Sequence, residues 1–67
     1  MEYKLNSEYI ELCNLLKVTG YCSSGGEAKM VIQERRVRVD DEIETRKKCK
    51  IRKGQEVYYN LKVINVI

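Results

Sequence analysis

The chain has no histidine, proline, tryptophan or phenylalanine, and only four glycines in 67 residues. Without histidine, nothing titrates unperturbed near neutral pH and no imidazole can complete a zinc site. No serine or cysteine stands beside an evident base, so nucleophilic and acid–base catalysis have no carrier. The expectation is a protein that is not an enzyme, with no cofactor, no metal and no small-molecule substrate. Cys13, Cys22 and Cys49 are odd in number and form no CxxC pair, which suits reduced thiols better than a disulfide scaffold. No run approaches the roughly 18 apolar residues of a membrane span, and the opening Met-Glu-Tyr-Lys-Leu carries no apolar leader. A cytoplasmic protein without membrane contact is the resulting expectation. Repeats and low-complexity linkers are absent too, so residues 1–67 read as a single domain. A domain this small buries only about 60% of its unfolded surface, which favours surface binding over a deep catalytic cavity.

What the chain does have is segregated charge. Six of the eight residues from Arg46 to Lys53 are basic: Arg46, Lys47, Lys48, Lys50, Arg52 and Lys53. From Lys29 to Lys53 there are ten Lys/Arg against five Asp/Glu, whereas residues 1–28 hold two against four. With a net charge of only +3 overall, that local excess is the footprint of a polyanionic partner.

Along the chain, Glu2–Leu5 alternates as a short edge strand does. Asn6-Ser7 offers a helix N-cap, and Tyr9, Leu12, Cys13 and Leu16 then share one face of a helix running to about Lys17, with Gly20 ending it. Ser24-Gly25-Gly26-Glu27 is a capping box: the Ser24 hydroxyl accepts from Glu27 N–H, and the Glu27 carboxylate reaches back to Ser24 N–H. Ala28, Val31 and Ile32 form the buried stripe of this second helix, while Lys29, Gln33 and Arg36 share another face. From Val37 the period becomes alternating, with Arg36 and Arg38 pointing outward. Asp40-Asp41 marks a turn, and Glu56–Tyr59 and Lys62–Ile67 read as strands joined around Asn60-Leu61. The class is α+β: a two-helix hairpin packed on a small, twisted, mainly antiparallel sheet.

Several motifs invite sharper chemistry. Gly20 to Gly26 has the outline of a phosphate loop, but Gly26 and Glu27 stand where Lys and Ser/Thr are required, so nucleotide hydrolysis is rejected. Ser23, Ser24 and the Gly25–Gly26 amides could meet one phosphate of a polymer or simply cap the helix. Asp40, Asp41, Glu42 and Glu44 lack the spacing of a calcium loop and read as a turn with acids that limit self-repulsion among the bases. Tyr21, Tyr58 and Tyr59 could stack on bases, though packing suits them equally.

The order and spacing of Leu15-Leu16-Lys17, Ser23 to Lys29, Ile32, Val37 to Asp40, Glu44-Thr45-Arg46-Lys47 and Cys49 to Gly54 resemble the alpha-L, or S-four, RNA-binding motif. The resemblance is particularly to its short stand-alone bacterial members, the YbcJ-like ribosome-associated group. It implies two helices on a small sheet, with RNA held by the second helix and the adjoining loop and strands. The RNA-binding residues carried over are Ser23, Ser24, Lys29, Arg36, Arg38, Arg46, Lys47, Lys48, Lys50 and Arg52. The implied partner is structured RNA, ribosomal or transfer RNA, and through it the ribosome or an assembly particle. The wider family often has Arg where this chain has Gly25, and Gly at Arg35 and at the Asp40-Asp41 turn. Arg35 forced to positive φ would cost about 1 kcal/mol. Two other readings stay open: a protein-interaction module whose basic face meets an acidic partner, and a single-stranded nucleic-acid binder. On the leading reading, cations of the second helix, the next strand and the basic run converge into one positive surface.

Overall fold

Alternation places Val37, Val39, Val57, Ile64 and Val66 on one face of a sheet, and all five are buried in a computed structural model that describes residues 1–67. The chain order is β1 (Glu2–Tyr3), β2 (Ile10–Glu11), α1 (Leu12–Val18), α2 (Gly25–Gln33), β3 (Val37–Val39), β4 (Glu42–Ile43), β5 (Lys50–Ile51), β6 (Glu56–Tyr59) and β7 (Lys62–Val66). Five strands form a sheet in the order β1-β7-β6-β3-β4, and β2 and β5 form a separate antiparallel ribbon. Only β1–β7 is parallel within the larger sheet. The two helices pack on each other, and their buried residues join those of both sheets in one apolar cluster. This is the expected α+β architecture. No polar side chain is buried in it.

The first helix begins later than its periodicity predicts. Asn6-Ser7 is not its cap: the Ser7 hydroxyl donates to the Tyr9 carbonyl at 2.9 Å, and Ile10–Glu11 is strand, paired with Lys50–Ile51. Tyr9 therefore leaves the helical face and stands exposed. Glu11, the residue before α1, caps nothing with its side chain. Instead the Leu12 and Cys13 N–H groups donate to the Cys49 and Lys47 carbonyls at 2.9 and 3.0 Å. The basic run thus supplies the missing helix cap with its own backbone, which fixes it against the start of α1.

Helix α2 starts as expected, with Ser24 Oγ accepting from Glu27 N–H at 3.1 Å. The reciprocal bond differs. Ser24 is extended (φ −152°, ψ 164°), and the Glu27 carboxylate accepts from Ser23, from its N–H at 2.5 Å and its hydroxyl at 3.1 Å, rather than from Ser24 N–H. At the other end, Arg36 N–H donates to the Val31 carbonyl and Arg35 N–H to that of Ile32, both at 3.1 Å. This is the Schellman arrangement, and Arg35 occupies its left-handed position at φ 63°. The chain accepts the strain of about 1 kcal/mol. Breaking the helical phase there takes Arg36 off the face it was expected to share with Lys29.

Both hairpin tips have two-residue loops with positive φ at each position: Asp40 and Asp41 (51°, 70°), Asn60 and Leu61 (55°, 64°). Such turns match the twist of the flanking strands. Asp40 also latches the sheet, its carboxylate accepting from Glu56 N–H at 3.0 Å and Gln55 Nε2 at 3.1 Å.

Candidate nucleic-acid interface

The cations do not form one continuous surface; they divide between two sides. Lys29 projects from α2 and lines a depression with Lys17 of α1, Lys48 of the basic run, Glu11, Asn14 and Gly25 at the start of α2, three cations against one carboxylate. Lysines from three elements line it because the run is hydrogen-bonded to the start of α1, beside α2. Lys48 also lines a neighbouring hollow with Arg46, Cys49 and Lys50. Lys50 and Arg52 flank the Tyr9 ring, at 4.9 and 5.6 Å from its centroid. Arg52 continues with Lys53 and Lys4 around Asn6 and Ser7.

Arg36 and Arg38 lie elsewhere. Arg38 sits on the sheet face opposite the buried valines, with Ile43 and Tyr58 as cross-strand neighbours. Arg36 lies over the Tyr59 ring at 5.8 Å and pairs weakly with Glu34 at 3.5 Å. Both line a trough with Asp41, Tyr58, Asn60 and Leu61 that shares no residue with the lysine depression. The expected single surface is thus corrected to a helix–loop cluster and a separate pair of arginines. The physical reason is that Arg38 points away from the helices by strand alternation, whereas Arg36, past the left-handed Arg35, lies at the sheet edge over Tyr59, which packs on the core, and near Cys22.

Within the helix–loop cluster the predicted residues are not equivalent. Ser23 and Ser24 both serve the start of α2, their side chains bonded as described above. Lys47 is half-buried, and its carbonyl is committed to α1. The Arg46 guanidinium grips Glu44 through two bonds, 2.9 Å from Nε and 3.1 Å from the terminal nitrogen, while Arg46 N–H donates to the same carboxylate. These bonds hold the Glu44 carboxyl down at about 2, first through the Arg46 side chain. Arg46 is therefore oriented and half-neutralised, whereas Lys17, Lys29, Lys48, Lys50 and Arg52 take part in no ion pair within the molecule.

Burial pushes the Cys22 and Cys49 thiols up, away from the thiolate form a reactive cysteine needs. No group of three or more Cys, Asp or Glu converges as metal ligands would, and no helix is long and apolar enough to cross a membrane. Tyr21 is largely occupied, its hydroxyl donating to the Val63 carbonyl at 3.3 Å and its ring lying under Lys62.

Two members of the surface escaped the sequence. Lys17 stands alone in an apolar helix, and only the approach of Lys29 and Lys48 gives it meaning. Tyr9 joins the bases because β2 pairs with β5, a contact between two-residue strands that leaves no periodic trace.

This fold defines the class. The S4 domain family matches residues 3–67, and the chain belongs to it. Among relatives, the putative RNA-binding protein YbcJ of Escherichia coli (strain K12) is 51% identical over 51 residues, covering 76% of this chain and 73% of that protein. A YbcJ from Shigella flexneri, itself uncharacterized, matches to the same extent. The solution structure of E. coli YbcJ, described as an alfaL motif involved in RNA-binding, superposes with a TM-score of 0.76 at 42% identity, over 98% of this chain and 85% of that one.

Proposed function

We propose that this protein binds structured RNA without catalysis, as a ribosomal-RNA or assembly-particle factor, through the helix–loop cluster. The observation that carries the reading is the meeting of Lys17, Lys29 and Lys48 at the start of α2. Point charges on flexible stems suit phosphates, and A-form RNA offers mainly phosphates, 2′-hydroxyls and shape. Gly25 and Gly26 support it. A Cβ on Gly25 would meet nothing within 4 Å, and one on Gly26 only Ser24 Oγ at 3.9 Å, with neither residue at positive φ. The fold thus requires neither glycine, although each costs helix stability of up to about 1 kcal/mol relative to alanine. Their bareness leaves backbone N–H groups open to an approaching phosphate. Likeness to E. coli YbcJ, a putative RNA-binding protein, supports an RNA partner; the ribosomal one rests only on the resemblance to the stand-alone bacterial group, an argument from analogy.

Affinity for a folded ribosomal RNA fragment, followed by fluorescence anisotropy against salt, tests the mechanism. With about five phosphates neutralised, log K should fall against log salt with a slope of about −3.5 to −4.5. Binding indifferent to salt overturns it. Crosslinking in cells followed by sequencing tests the partner, and recovery dominated by RNA other than ribosomal would replace it.

A further inference from the structure

Tyr9 is an exposed aromatic ring inside the basic cluster, and nothing in duplex recognition uses it. Ribbon register explains its position. Ile10 pairs with Ile51 and Glu11 with Lys50, and just beyond the ends of these strands Arg52 approaches the Tyr9 ring. Ile10 and Ile51 point into the core, which leaves Tyr9, Lys50 and Arg52 on the outer side of the ribbon. Tyr9 keeps 37% exposure although its neighbour Ile10 keeps only 9%. Its backbone carbonyl accepts from the Ser7 hydroxyl at 2.9 Å. A depression lined by Asn6, Ser7 and Asn14 adjoins it.

We infer that Tyr9 is a stacking platform for one unpaired base of the bound RNA, with Lys50 and Arg52 holding the phosphates on either side of it. The inference rests on the RNA-binding reading and adds a single-stranded subsite to it. A base within a duplex has both faces covered by its neighbours, so the ring can stack only on a nucleotide outside the stack, which would displace the cations that lie over it toward the flanking phosphates. Arg52 follows Lys50 by two residues, just past the end of β5, at most about 7 Å along extended chain, a step comparable with one nucleotide of backbone. Their charges lie 4.9 and 5.6 Å from the ring centre, so base and phosphates would be met together. Glu8 and Glu11 border the same depression and repel a backbone from that direction, which leaves the β5 side as the path for the strand.

The probe is a short RNA hairpin in two forms, fully paired or carrying a single bulged 2-aminopurine. The wild-type protein should prefer the bulged form by about 10-fold, the order of one base–aromatic stack, and should quench its fluorescence. Tyr9→Phe should keep both the preference and the quenching. Tyr9→Leu, which retains apolar bulk at a half-open site, should lose both, weakening the bulged hairpin by about 10-fold more than the paired one. Circular dichroism checks that each variant folds. If Tyr9→Leu retains the preference, or weakens both hairpins equally, the platform is refuted while RNA binding itself stands. If the wild-type protein binds neither hairpin, both readings fall together.

Discussion

On the helix–loop side, Lys17, Lys29 and Lys48 line one depression and lead through Lys50 to Arg52 and Tyr9. On the uncovered face of the sheet, Arg38 shares its surroundings with Ile43, Tyr58 and Asp41. Strand alternation adds Glu56 and Glu2, in register with Asn65, to that same face. The Tyr58 hydroxyl registers the balance: its pKa is raised, first by the Glu56 carboxylate and then by Asp41. A polyanion approaching the sheet would meet the same carboxylates. Counting cations along the chain does not separate these sides, because Arg36 and Arg38 belong to the same basic half of the sequence as Lys29 and Lys48. What separates them is the company each cation keeps in three dimensions, which decides the sign of the local field.

The sharpest way to break this comparison is to remove cations from one side at a time. Replacing Lys17, Lys29 and Lys48 together by alanine should weaken RNA binding on the order of 100-fold near 0.1 M salt, and flatten the salt slope by about 2 to 3. Replacing Arg36 and Arg38 together should change affinity by less than about threefold, within the scope of a long-range field. Anisotropy titrations on both variants at several salt concentrations give the answer. Equal losses would return Arg36 and Arg38 to the interface and restore the continuous surface.

How far the sequence alone could reach depends on the range of the forces involved. The Ser24 cap of α2, the Gly20 stop of α1, the Asp40-Asp41 turn and the Asn60-Leu61 hairpin are set within a few residues, and each was readable as such. The start of α1 was not, because Tyr9, Leu12, Cys13 and Leu16 fit a helical period that pairing with β5 overrides. Strands of two residues, such as β2, β4 and β5, are too short for alternation to show. The site follows the same division. Lys29, Lys48, Lys50 and Arg52 were visible as charge, while Tyr9 and Lys17 became part of it only through long-range contacts. Arg36 was misplaced because one left-handed residue, Arg35, resets the phase.

A smaller effect is expected at the tip of the β6–β7 hairpin, at the end of the trough on the sheet side. Leu61 is fully exposed and holds φ 64°, a conformation that disfavours a residue with a Cβ. L61G gives the tip the Asn-Gly pair best suited to this turn. The variant should be more stable by about 1 kcal/mol, the order of the left-handed penalty removed. In a domain of this size that raises the melting temperature by roughly 4–8 °C. RNA affinity should not move if this side is uninvolved. A stabilised variant with impaired RNA binding would mean that the sheet side takes part after all.

The smallest expected effect concerns how acids are used on the two sides. Near Tyr58 the carboxylates of Glu56 and Asp41 set the field, whereas Glu44 is spent on orienting Arg46 and closing the basic run onto itself. The Glu44 carboxyl is depressed from 4.5 to about 2 in the folded protein. A depressed carboxyl contributes stability that is fully present above its unfolded value and is lost as pH falls through the folded one. The window is therefore pH 4.5 down to about 2. The guanidinium is largely in water, so solvent screening keeps the contribution modest. Glu44→Gln should lower the urea midpoint slightly at neutral pH, and the gap between variant and wild type should close as pH falls through that window. A gap that stays constant down to pH 2 would show that the clamp contributes no pH-linked stability. At neutral pH the same substitution removes one negative charge and frees Arg46, so RNA affinity should rise slightly and the salt slope steepen by up to about 1. Weaker binding instead would mean that the orientation Glu44 imposes matters more to RNA than the charge it cancels.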